Sequence, residues 1–108
     1  MEIDMPLGLD SYFRAANADD IAGIVAHFAP NARVRDEGEW RQGSAQIEHW
    51  ARDTRARYRF TATPLSARQD GAAWIVTVRV EGTFPGSPIE LRYRFELEGR
   101  RISRLEIV

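Results

Sequence analysis

The period of the hydrophobic pattern changes partway along the chain, and that change constrains the fold more than any other feature. Up to about Arg55 the apolar residues recur at helical spacing, interrupted by one short extended stretch; from about Arg57 onward they alternate. Helical segments followed by a run of strands predict an α+β domain, with three N-terminal helices packed on one face of a largely antiparallel sheet. The first helix is expected from Pro6 to Asn17, with Leu9, Tyr12, Phe13 and Ala16 on its buried face. The second starts near Asp19-Asp20, carboxylates suited to a cap, and puts Ile21, Ile24, Val25 and Phe28 on one stripe before Pro30 and Asn31 end it. Ala32 to Asp36 reads as a short strand. The third helix opens at Ser44 and aligns Ile47, Trp50, Ala51 and Thr54.

The rest alternates. Tyr58, Phe60 and Ala62 are expected on one side of a strand, against Arg59, Thr61 and Thr63. Asp70-Gly71 is a hairpin signal. Trp74, Val76, Val78 and Val80 then oppose Ile75, Thr77, Arg79 and Glu81. After the wider turn Pro85-Gly86-Ser87-Pro88, Ile89, Leu91, Tyr93, Phe95 and Leu97 oppose Glu90, Arg92, Arg94 and Glu96. Ile102, Leu105 and Ile107 anchor a last strand. One sheet face is thus apolar and covered by the helices. The other is a mixture of Arg, Glu and Thr, either wetted or paired with a second subunit.

Composition narrows the function classes. The 108 residues fit one domain spanning 1–108 with a core large enough to need no metal or disulfide. There is no cysteine, which excludes disulfides, a thiol nucleophile and cysteine-ligated metal. Two histidines, His27 and His49, are too few for an all-imidazole site. Fifteen basic against sixteen acidic residues leave a net charge of −1, with no excess to follow a phosphate backbone, so nucleic acid is not an expected partner. Every basic residue is arginine, a coding bias associated with GC-rich bacterial genomes. No apolar run approaches the roughly 20 residues of a membrane span. The segment Met1-Glu2-Ile3-Asp4 does not resemble a signal peptide. The expectation is a cytoplasmic protein without membrane partner, metal or organic cofactor.

No strong catalytic motif is present. The informative feature is a polar residue in the wrong phase. In Ala32-Arg33-Val34-Arg35-Asp36 the two-residue period puts Asp36 on the side of Ala32 and Val34, toward the core. Desolvation of a carboxylate there, at a strand end, would raise its pKa and make it a candidate general base. Asp36-Glu37-Gly38 also reads as an ordinary turn. Tyr12, on the buried stripe of the first helix, is the second candidate: its hydroxyl either donates to a developing oxyanion or reaches a carbonyl or water as in an ordinary core tyrosine. His27 and His49 flank their stripes as boundary residues. Trp40, Trp50 and Trp74 read as core and rim, with Trp50 also suited to stacking on a planar ligand.

The chain as a whole resembles the NTF2-like (cystatin-like) superfamily, in particular its SnoaL-like and ketosteroid-isomerase-like members. The resemblance covers about residues 7 to 107. It is carried by Tyr12-Phe13 through Asp19-Asp20-Ile21, then Phe28-Ala29-Pro30-Asn31-Ala32, Val34, Asp36 and Gly43-Ser44-Ala45-Gln46-Ile47. It implies a cone-shaped fold with a curved sheet around a deep apolar pocket. It also implies a strand-end aspartate that moves a proton beside a ketone, and a first-helix tyrosine that holds the enolate oxygen, with a protonated acid as second donor. By position the base falls on Asp36 and the tyrosine on Tyr12. The second donor falls on Leu91, which cannot donate. Losing one such donor costs about 100- to 1000-fold in rate, which argues against efficient steroid isomerisation.

The expected function is therefore that of a SnoaL-like small-molecule pocket protein, as an isomerase or cyclase acting on a small apolar carbonyl compound. Asp36 would be the base and Tyr12 the oxyanion donor, with Phe28, Trp50, Leu91, Tyr93 and Phe95 as candidate ligand contacts. The alternatives are a non-catalytic binder of apolar ligands and a homodimeric association module that pairs through the outer sheet face.

Overall fold

A computed structural model describes residues 3–108. The chain folds as α1 (Leu7–Asn17), α2 (Ile21–Ala26), β1 (Phe28–Asp36), β2 (Glu39–Gln42), α3 (Ser44–Tyr58), β3 (Thr61–Asp70), β4 (Ala73–Glu81), β5 (Ile89–Glu98) and β6 (Arg101–Ile107). The strands form one six-stranded sheet in the order β2-β1-β6-β5-β4-β3. Neighbours are antiparallel except β1 and β6, which run parallel with Val34 beside Leu105. This is the α+β architecture that the change of period predicts.

Periodicity explains the core. Leu9, Tyr12, Phe13 and Ala16 are the buried residues of α1; Ile47, Trp50, Ala51, Thr54 and Arg55 are those of α3. The sheet supplies Val34, Val76, Val78, Phe95, Ile102 and Leu105, none more than 1% exposed. Each such aliphatic or aromatic side chain contributes roughly 1.5–3 kcal/mol on burial. Asp20 caps α2 by accepting the Gly23 N–H at 3.0 Å, which is worth about 1 kcal/mol.

Three local expectations are corrected. Phe28 is not on the α2 stripe: the helix ends at Ala26 and Phe28 opens β1, paired with Ile102. Pro30 holds the preceding residue extended, and the carbonyl of His27 accepts the Ile102 N–H at 2.8 Å, so the chain joins the sheet early. The register irregularity between Phe28 and Arg33 lies where proline offers no ladder donor. Second, β2 was not foreseen. Glu37 and Gly38 both have positive φ, +54° and +77°, in a two-residue reversal of the type I′ kind that pairs Asp36 with Glu39. Third, Tyr58 belongs to α3 and Phe60 to the connection after it. Arg59, at φ +44°, ends the helix by donating its backbone N–H to the Arg55 carbonyl at 2.9 Å, so Arg59 is not part of the outer sheet face.

Candidate functional site

Between the helices and the sheet lies a cavity of about 600 Å³. Tyr12 of α1 and Asp36 at the end of β1 both line it. So do Trp50, Thr54, Arg55 and Tyr58 of α3, together with Val80 of β4 and Leu91 and Tyr93 of β5. Phe84 and Ile89 lie on its wall from the β4–β5 connection and the start of β5. Most of this wall is apolar.

Asp36 owes its position to two local features. Strand phase turns it to the side of the buried Ala32 and Val34, and the tight reversal after it stops the strand there. Its carboxylate is fixed by the indole of Trp50, whose Nε1–H donates to Oδ2 at 3.0 Å. Arg41 Nη1 donates to the Asp36 carbonyl at 3.1 Å and steadies the backbone. Desolvation raises the pKa of Asp36 above the usual carboxylate value; the Trp50 hydrogen bond pulls the other way, and the charge of Glu37 adds a smaller upward push. Trp50 thus lines the cavity but spends its polar edge on the aspartate.

Tyr12 is 4% exposed and packed edge-on against Phe13, Phe28 and Phe95, with ring centroids 5.3, 5.7 and 5.7 Å away. Burial first, and then the charge of Asp36, push its pKa well above the ordinary phenol value. The hydroxyl is therefore a proton-bearing donor at any physiological pH. Phe28 and Phe95 do not line the cavity. They stand behind Tyr12 and fix its ring, so the expectation that they touch ligand is corrected to a supporting role. The ring geometry explains this: both phenylalanines sit where the core is closed, with Phe95 wholly buried.

Several cavity residues were not anticipated. Arg55 is 8% exposed at its side chain, pairs through Nε with Asp19, donates from Nη2 to the Phe60 carbonyl at 2.6 Å, and lies over the Phe60 ring. At the mouth, Tyr58 donates to Glu37 at 2.5 Å, and Arg57 donates to the other Glu37 oxygen at 3.0 Å. The Tyr58 hydrogen bond, and then that of Arg57, hold the Glu37 carboxyl below its ordinary pKa. The sequence signal for Arg55 was present as one member of an arginine-rich stretch, where nothing singled out the buried one. Among the described residues no group of three or more His, Cys, Asp or Glu is placed to hold a metal ion. No helix there is long and apolar enough to cross a membrane.

Comparison with known proteins agrees with this fold. The SnoaL-like domain matches residues 9–105. A protein of Sinorhizobium meliloti, provisionally assigned as a polyketide cyclase, is 38% identical, with a TM-score of 0.94 over 97% of this chain and 96% of that one. A Catenulispora acidiphila protein with a ketosteroid-isomerase-like fold, solved with trimethylamine, is 18% identical, with a TM-score of 0.85 over 97% and 86% of the two chains. A cystatin-fold protein of Novosphingobium aromaticivorans is 22% identical, with a TM-score of 0.80 over 97% and 99%. The last two speak to the fold alone. Among curated proteins, none matches.

Proposed function

This chain belongs to the SnoaL-like domain family, and from that premise we propose that its cavity binds a small, mostly apolar carbonyl compound and catalyses cofactor-free proton transfer at the carbon beside the carbonyl. Asp36 takes the proton while the Tyr12 hydroxyl donates to the carbonyl oxygen as it becomes an enolate. Protonated Asp36 then delivers the proton to a conjugated carbon, which completes an isomerisation; in a ring closure the enolate carbon instead attacks a second carbonyl of the ligand, and Asp36 delivers its proton to the alkoxide so formed. One observation carries the reading: a half-buried carboxylate of raised basicity and a buried phenol donor line the same apolar cavity. The 38% identical Sinorhizobium meliloti protein, with its cyclase assignment, supports the same class of substrate.

Replacing Asp36 with Asn keeps an acceptor for the Trp50 indole and removes the base. Turnover of a small enone should fall to background with the fold intact; activity that survives overturns the role of Asp36. A non-catalytic reading of the same cavity expects saturable ligand binding in both proteins and turnover in neither. The proposal also includes a homodimer through the outer sheet face, where Trp40 is 42% exposed between the guanidinium groups of Arg33 and Arg104.

A further inference from the structure

Tyr93 stands on β5 two residues beyond Leu91, on the same cavity-facing side of the strand. Its ring is held by the residues that hold Tyr12. Phe13 lies 5.3 Å from Tyr12 and 5.6 Å from Tyr93; Phe95 lies 5.7 Å from Tyr12 and 6.1 Å from Tyr93. The two phenols are therefore wedged against one pair of phenylalanines, each 4% exposed. Among the described residues, the only occluded side-chain polar atom without a partner is Arg104 Nε. The hydroxyls of Tyr12 and Tyr93, which bond to no protein group among the described residues, therefore open onto the cavity.

We propose that Tyr93 is a second oxyanion donor, so that two tyrosine hydroxyls converge on one ligand oxygen and the cavity selects ligands that carry an enolate or phenolate oxygen. This rests on the reading of the cavity given above and supplies the donor that Leu91 cannot. Burial, followed by the charges of Tyr12 and Asp36, keeps Tyr93 protonated, while the positive charge of Arg55 acts on both phenols in the opposite sense. That charge favours a ligand oxygen that bears negative charge. Two fixed donors in an apolar cavity require no reorganisation when charge develops, and a hydroxyl left without an acceptor there favours any ligand that provides one.

The test is a titration of the whole protein with 4-nitrophenol, followed by the absorbance of the bound phenolate. Wild type, Tyr12→Phe, Tyr93→Phe and the double variant are compared, with nitrobenzene as a ligand of similar shape that lacks the oxygen. Each Tyr→Phe change should weaken phenolate binding roughly 10- to 150-fold, the size of one hydrogen bond to a charged group. Nitrobenzene affinity should stay within about twofold, which a merely structural effect of Tyr93 would not spare. Phenolate affinity unchanged in Tyr93→Phe but weakened in Tyr12→Phe overturns the second donor and leaves the function above standing. Loss of binding of both ligands in Tyr93→Phe overturns it too, because the role is then packing. The wild-type protein offers a second measurement: bound phenolate should bring two strongly deshielded hydroxyl protons into the proton spectrum, and one alone overturns the pair. Phenolate binding of the expected pattern without any enone turnover would keep the oxyanion pair and remove catalysis. Wild type that binds neither ligand overturns both readings.

Discussion

One peptide bond separates two carboxyl groups whose surroundings drive them apart: desolvation raises the pKa of Asp36, while Tyr58 and Arg57 hold that of Glu37 down. Such a divergence is how neighbouring acids take different roles. For Asp36 the folded-state pKa lies above the unfolded one, so its ionisation costs stability as pH rises through the folded value and costs nothing below the unfolded value. Asp36→Asn should therefore raise the melting temperature by a few degrees near pH 7 and leave it unchanged near pH 3; calorimetry at the two pH values checks this. For Glu37 the sign is reversed: its contribution is present above the unfolded value and lost as pH falls through the depressed folded one. If Asp36 is the base, the acid limb of kcat/KM should lie above the ordinary carboxylate range and follow the ionisation of Asp36. A limb at the ordinary value would detach the base from this residue.

At the scale of elements, the site depends on where α3 ends. Gly82 lets the chain after β4 cross that end: a Cβ there would lie 2.5 Å from the Tyr58 carbonyl oxygen and 2.9 Å from the Phe60 Cα. Both obstacles are fixed, so Gly82→Ala should cost about 1–3 kcal/mol and shift the wall that carries Tyr58, measurable by denaturant unfolding. Asn17, at the end of α1, both donates to and accepts from the backbone of Ala62 at 2.8 Å, covering part of the β3 edge. Asn17→Ala should cost roughly 1–2 kcal/mol for the pair of bonds, by the same measurement. The legibility of the fold follows the same lines. The buried faces of α1, α3, β4 and β5 were readable because each is long enough for its period to stand out. The short α2 was overrun by Phe28, because a stripe of four residues cannot show where a helix stops. The hairpin to β2 was hidden because Glu37-Gly38 lacks the usual asparagine or aspartate before its glycine. Asp36 and Tyr12 were legible through phase, whereas Arg55 and the Glu37–Tyr58 contact depend on tertiary placement that no local pattern encodes.

For the whole molecule, the sheet separates the cavity from the proposed association surface. The helices close the apolar face, and the outer face carries Trp40 with the guanidinium groups of Arg33, Arg35 and Arg104 around it. A dimer formed there would be held largely by charges and cation–π contacts, so it should weaken as salt rises. Sedimentation at low and high salt tests this, and a monomer throughout removes the dimer. The parallel pairing of β1 with β6 has a further bearing, on the order of assembly. Asp36 is carried by a strand whose inner neighbour is the last strand of the sheet, and Tyr93 lies on the strand beyond that one. During synthesis Asp36 emerges early on β1, with β2 and α3 close behind it, yet the place of β1 in the sheet is set only when β6 has left the ribosome and closed a long loop. A shortened chain lacking β6 should therefore fail to close the cavity, which forms in a single late step.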